Sequence, residues 1–138
     1  MDKSAVHEVR TTMDDVHLLI PASSEFLRAL RLVAADVAAR AGLDLAEIED
    51  FRIAVDELSY AVMTSTDHHL QLTFRTDEGT VVARGSARSR GGAVPPTLTE
   101  LSRTIVSGVC DWFELADQRS EIVFVVVKQA RRAMVERA

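Results

Sequence analysis

Glu57 is a carboxylate that needs a reason for its position. Within residues 48–63, Ile48, Phe51, Val55, Leu58 and Val62 recur at three- and four-residue steps, the spacing that lines one helix face with large apolar side chains. Glu57 stands beside that stripe, where an unpaired carboxylate is costly. On a cleft-lining helix such a group can act as a general base. The residues leave three readings open: a live catalytic group, a catalytic relic, or a helix-surface charge. Arg52 and Asp56, four apart, are placed to pair along the wetter side of the same helix.

The other chemistry-bearing residues form no second constellation. His68 and His69 are adjacent at the start of a β-type run, so strand alternation sends their side chains to opposite faces, away from a shared metal. No further His or Cys is spaced to complete a zinc set. The single cysteine, Cys110, lies among Val106, Val109 and Phe113 and reads as a small core residue rather than a reactive thiol. A Gly-x-Ser-x-Gly elbow is absent, which leaves a Ser/His/Asp hydrolase unsupported. Residues 86–96 hold Gly91-Gly92 among Ser, Arg and Pro. They read as a mobile loop, with anion cradling as the alternative.

The 138 residues are 47% hydrophobic and 27% charged, the profile of one globular domain with a sizeable core. Asp and Glu outnumber Lys and Arg by 21 to 16, giving a net charge of −5 that argues against a broad nucleic-acid footprint. No apolar run approaches the roughly 20 residues needed to span a bilayer, and residues 1–10 lack the pattern of a signal peptide. The expected location is the cytoplasm, with no membrane partner.

Periodicity and punctuation then supply the elements. Residues 1–13 read as a tail or an edge strand. Residues 16–20 form a short strand stopped by Pro21, and Ser23 or Ser24 caps a helix over 25–41 with Phe26, Leu30, Val33 and Val37 inward and Gly42 at its C-terminus. Asp44 and Glu47 make a capping box for a second helix running to about residue 65. Residues 69–76 and 80–85 alternate as a hairpin. Thr97 caps a third helix whose stripe includes Leu98, Leu101, Ile105, Val109 and Trp112, and 121–129 is a strand with five consecutive apolar residues, 123–127, covered on both faces. Trp112 and Phe113 read as core. Arg131, Arg132 and Arg137 mark a basic tail over 130–138. The predicted fold is a single α+β domain over 1–138, a two-layer sandwich of a mixed, mostly antiparallel sheet with helices on one face.

That order, together with Ile48-Glu49-Asp50-Phe51-Arg52-Ile53-Ala54-Val55-Asp56-Glu57, resembles the anti-sigma factor serine kinases of the GHKL ATPase superfamily, most of all the short actinobacterial anti-sigma regulators. Ile20-Pro21-Ala22 leading into a helix with Leu27, Leu30 and Arg31, and Gly42-Leu43 before the second helix, carry the same likeness. The resemblance implies that Glu57 occupies the place of the N-box base, that an Asn four residues later would hold Mg²⁺, and that an Asp-x-Gly-x-Gly loop after the hairpin would bind adenine. Here Ala61 stands at the Asn place, and a methyl group cannot ligate a hard cation. The corresponding loop reads Gly85-Ser86-Ala87-Arg88-Ser89-Arg90-Gly91-Gly92, with no acidic residue over 81–99. A lost buried acceptor weakens binding by about 1–3 kcal/mol.

The resemblance therefore implies a GHKL-like anti-sigma regulator in which Glu57 is a relic base and no cofactor is expected, ATP and Mg²⁺ being disfavoured. Its implied partners are an alternative sigma factor, an anti-anti-sigma protein of the STAS type, and a second copy of the chain. Arg31 is implied as a partner-binding residue, with a solvated helix charge as the alternative. An active ATP-dependent protein serine kinase and a GHKL scaffold for another signalling partner are the other two functions it allows.

Overall fold

The computed structural model describes residues 14–90 and 96–131. In chain order the elements are β1 (Val16–Pro21), a 3-10 turn (Ser24–Phe26), α1 (Leu27–Arg40), α2 (Leu45–Met63), β2 (His69–Asp77), β3 (Thr80–Arg88), α3 (Glu100–Val109), β4 (Trp112–Gln118) and β5 (Glu121–Gln129). The expectations for residues 1–13 and for most of the basic tail lie outside the described residues.

Local chemistry explains the two long helices. α1 ends in a Schellman motif: Gly42 takes φ +93°, its N–H donates to the Ala39 carbonyl at 3.1 Å, and the Leu43 N–H donates to the Ala38 carbonyl at 3.2 Å. α2 opens on the expected capping box. Asp44 Oδ1 accepts from the Glu47 N–H at 2.8 Å, and Glu47 Oε1 accepts from the Asp44 N–H at 2.9 Å. The second Glu47 oxygen accepts from the Arg131 N–H at 2.6 Å, which ties the start of α2 to the residue that follows β5 and Ala130. Glu47 is buried, and these three bonds satisfy it.

The sheet order is β1-β2-β3-β5-β4, and every pairing is antiparallel, so the parallel component allowed by a mixed sheet is not present among the described strands. Leu70, Leu72 and Phe74 of β2, Val81 and Ala83 of β3, and Ile122, Phe124 and Val126 of β5 point toward the helices and are buried with Leu30, Phe51, Val55, Leu58 and Val106. Phe51 and Phe74 meet edge to face with centroids 6.4 Å apart, an arrangement that adds roughly 0.5–1.5 kcal/mol to their burial. On the opposite face Val123, Val125 and Val127 are also buried, packed with Val82 and Trp112, so β5 is covered on both sides as its sequence implies.

Several sequence expectations are corrected. β3 continues to Arg88, so Gly85, Ser86, Ala87 and Arg88 are strand residues and not part of a loop. The third helix is capped by Thr99 rather than Thr97, its Oγ1 accepting from the Ser102 N–H at 3.0 Å. That helix stops at Cys110, whose backbone is extended, and Trp112 opens an edge strand instead of ending the helical stripe. Leu101, expected inward, is 70% exposed, because the buried side of α3 centres on Val106. The short connection between β4 and β5 is Arg119-Ser120, with Arg119 at φ 55°, a left-handed slot that favours Gly or Asn. No helix among the described residues is long and apolar enough to cross a membrane.

Candidate functional site

α2 presents different groups to its two neighbouring helices. On one flank Asp56 is reached by Arg31 from α1, through Nε to Oδ1 at 2.9 Å and Nη2 to Oδ2 at 3.2 Å. This fork fits a guanidinium to a carboxylate with two parallel bonds. Asp56 is thus taken by Arg31 and not by Arg52, which pairs with Glu49 one turn back, Nε to Oε2 at 3.1 Å. The Arg52 guanidinium holds the exposed Glu49 carboxyl below the usual carboxylate range, and Glu49 in turn raises Arg52. The pairing of Arg52 with Asp56 anticipated from spacing fails because Arg31, on a neighbouring element, offers the better geometry.

The other flank carries Glu57, about 100° further round the helix. It faces α3, where Ser102 Oγ donates to Glu57 Oε2 at 2.9 Å. Glu57 and Ser102 are both half-buried. One of the two Glu57 carboxylate oxygens is therefore engaged by a hydroxyl of the same chain. One turn on, Ala61 is buried and offers only a methyl group. Three residues on, at the C-cap, Thr64 Oγ1 donates to the Ala61 carbonyl at 2.7 Å. Arg31 and Glu57 are held on different flanks and share no contact group.

No group of three or more His, Cys, Asp and Glu side chains among the described residues could hold a metal ion. His68 precedes β2 by one residue, so strand alternation does not apply to it. His68 and His69 both border one cavity. Cys110 donates through Sγ to the Val106 carbonyl at 3.1 Å, and burial, with Asp111 beside it, pushes the thiol up to about 11. It is half-buried and unreactive in character.

With this geometry in hand, the comparisons with known proteins bear on the fold. No family model matches the sequence, and no curated protein matches it. A solved structure does: the RsbU and RsbW domains of Rv1364c from Mycobacterium tuberculosis superpose with a TM-score of 0.66 at 15% sequence identity. The match covers 87% of this chain and 33% of that one, so the chain spans about a third of the length of that solved protein. At this identity the likeness is one of fold: an α+β domain with an antiparallel five-stranded sheet.

Ser102 is the residue that sequence reasoning missed. Its only local signal is its place three residues after the Thr99 cap, and its meeting with Glu57 spans 45 positions of sequence.

Proposed function

We propose that this chain is an anti-sigma regulatory module that acts by binding, holding an alternative sigma factor until an anti-anti-sigma protein of the STAS type displaces it. The observation that carries the binding-only reading is the buried alanine where a Mg²⁺ ligand would stand, one turn from a Glu57 whose Oε2 is held by Ser102. Phosphoryl transfer is mostly positioning and charge neutralisation around a metal-bound triphosphate. A helix with a methyl group at the metal-ligand place supplies no charge neutralisation there, and Ser102 competes for the Glu57 carboxylate. The resemblance seen in the sequence and the fold shared with a protein described by its RsbW domain support the regulatory class.

In this reading Arg31 contributes to the partner-facing surface, with its guanidinium pre-oriented by Asp56, and Glu57 is a relic. A homodimer through β1 is consistent with that strand's edge position in the described sheet.

Two measurements test the proposal. Isothermal titration of the full chain with Mg-ATP is expected to show no binding in the range up to about 1 mM, and a dissociation constant near 1 μM would overturn the loss of the nucleotide site in favour of an active kinase. Affinity purification from the native host at low salt is expected to recover a sigma factor identified by mass spectrometry. Recovery of none would overturn the anti-sigma role.

A further inference from the structure

The sheet's outer face, away from the helices, holds an open, solvent-facing cavity of about 420 Å³ at the end where β1 and β3 finish and β2 and β5 begin. Cavities of a few hundred Å³ suit small organic ligands. Its walls are rich in donors. Arg88 brings a guanidinium that makes no hydrogen bond or ion pair among the described residues, and Ser86 and Ser120 bring hydroxyls. His68 and His69 add two imidazoles. The one carboxylate, Glu121, lies across from Arg88 in the strand register and has only a loose ion pair to Arg84, at 3.9 Å. Leu19, 64% exposed, gives an apolar wall.

The rim is fixed by backbone bonds rather than by the lining side chains. The His68 carbonyl accepts from the Ala22 N–H at 3.0 Å, and the His68 N–H donates to Thr66 Oγ1 at 3.1 Å. The Ser120 carbonyl accepts from the Ser89 N–H at 2.8 Å. Arg119, beside Ser120, is the only non-glycine residue with positive φ among the described residues, and strain of that kind persists where the surroundings over-determine it. A backbone-fixed rim carrying donors that have no partner among the described residues is an arrangement that can receive a ligand.

We propose that this cavity binds a phosphate monoester of a small polyol. Arg88 supplies the charge and the forked donor geometry that a phosphate takes. Ser86, Ser120 and the imidazoles donate to the remaining phosphate oxygens. Glu121 accepts from hydroxyls of the organic part, which rests against Leu19. The site lies on the face opposite Glu57, so it stands independently of the anti-sigma reading.

The test is a nuclear magnetic resonance titration of the ¹⁵N-labelled full chain with ribose 5-phosphate, inorganic phosphate and ribose in separate arms. Ribose 5-phosphate is expected to shift the amides of His68, His69, Ser86 and Ser120 saturably, with a dissociation constant on the order of 1 mM or tighter. Inorganic phosphate is expected to shift the same amides about tenfold more weakly, and ribose alone not at all. Arg88→Gln should weaken binding by about tenfold or more while leaving thermal unfolding unchanged, since the side chain supports nothing in the fold. Glu121→Gln should reduce ribose 5-phosphate to the affinity of inorganic phosphate. Absence of saturable shifts at these residues up to about 20 mM, or wild-type binding by Arg88→Gln, would overturn the site. Equal affinity for inorganic phosphate and ribose 5-phosphate would overturn the polyol assignment.

Discussion

Replacing Gly85 by alanine should destabilise the protein through one aromatic ring. Gly85 faces the core in the middle of β3, opposite Leu72 on β2 and Phe124 on β5. A Cβ built there would lie 2.1 Å from Phe124 Cε1, 2.5 Å from Cζ and 2.8 Å from Cδ1. Carbon atoms in contact sit about 3.5–4.0 Å apart, so the ring would have to retreat by more than 1 Å. Phe124 is fully buried in the core, so its retreat would press on packed neighbours. Overpacking of this kind costs roughly 1–3 kcal/mol, and the size of the overlap places Gly85→Ala toward the upper end. Removing glycine's freedom from the unfolded chain returns about 0.4–1 kcal/mol, leaving a net loss near 2 kcal/mol. Equilibrium urea unfolding, with a slope of about 1–3 kcal/mol/M, should show the midpoint falling by roughly 1 M. Phe124→Leu made in the Gly85→Ala background should recover part of the loss, so the two substitutions couple by about 1 kcal/mol or more. A Gly85→Ala protein within about 0.5 kcal/mol of the parent, or strictly additive losses, would refute the close approach.

Two other perturbations address charge and protonation. Arg31→Glu sets two like charges together where a forked pair stood. The exposure of the pair, 41% and 25%, limits the stability loss to about 1 kcal/mol, whereas capture of a sigma partner should fall sharply. The charge-swapped Arg31→Asp/Asp56→Arg protein should regain the stability and not the partner; recovery of both would make Arg31 a structural residue only. For Cys110, a thiol raised from an ordinary 9.0 to about 11 has a smaller thiolate fraction in the folded state than in the unfolded state. Iodoacetamide labelling at pH 8 should then be about 100-fold slower in the folded protein, and equal rates would contradict the burial. Because the folded value is the higher one, the stability linked to this group is fully present below pH 9 and is lost as pH rises from about 9 to 11. The urea midpoint of the parent should fall across that interval more than that of Cys110→Ser.

The legible parts of the fold were those written in short-range chemistry. Asp44 with Glu47, Gly42 after α1, the alternation of Leu70, Leu72 and Phe74, and the valine run of β5 each carry their own geometric demand. β4 escaped because Val106, Val109, Cys110 and Phe113 keep a helical spacing across the real break at Cys110. Its hairpin turn was hidden as well, since Arg119 occupies a slot that Gly or Asn would have announced. At the candidate site, Glu57 and Ala61 could be placed from one helix alone. Ser102 and the partnership of Arg31 with Asp56 could not, because both are contacts between elements whose relative position no local pattern encodes.

The position of β5 has a consequence for the order of events during synthesis. β3 finds its second neighbour only in residues 121–129, and the buried Glu47 finds its last donor only in Arg131. Until residues 121–131 are made, the β3 edge that pairs with β5 has no partner strand and the second Glu47 oxygen lacks its donor. Long-range pairings of this kind are slow and aggregation-exposed. β5 therefore inserts between two strands that both precede it in the chain, β3 and β4.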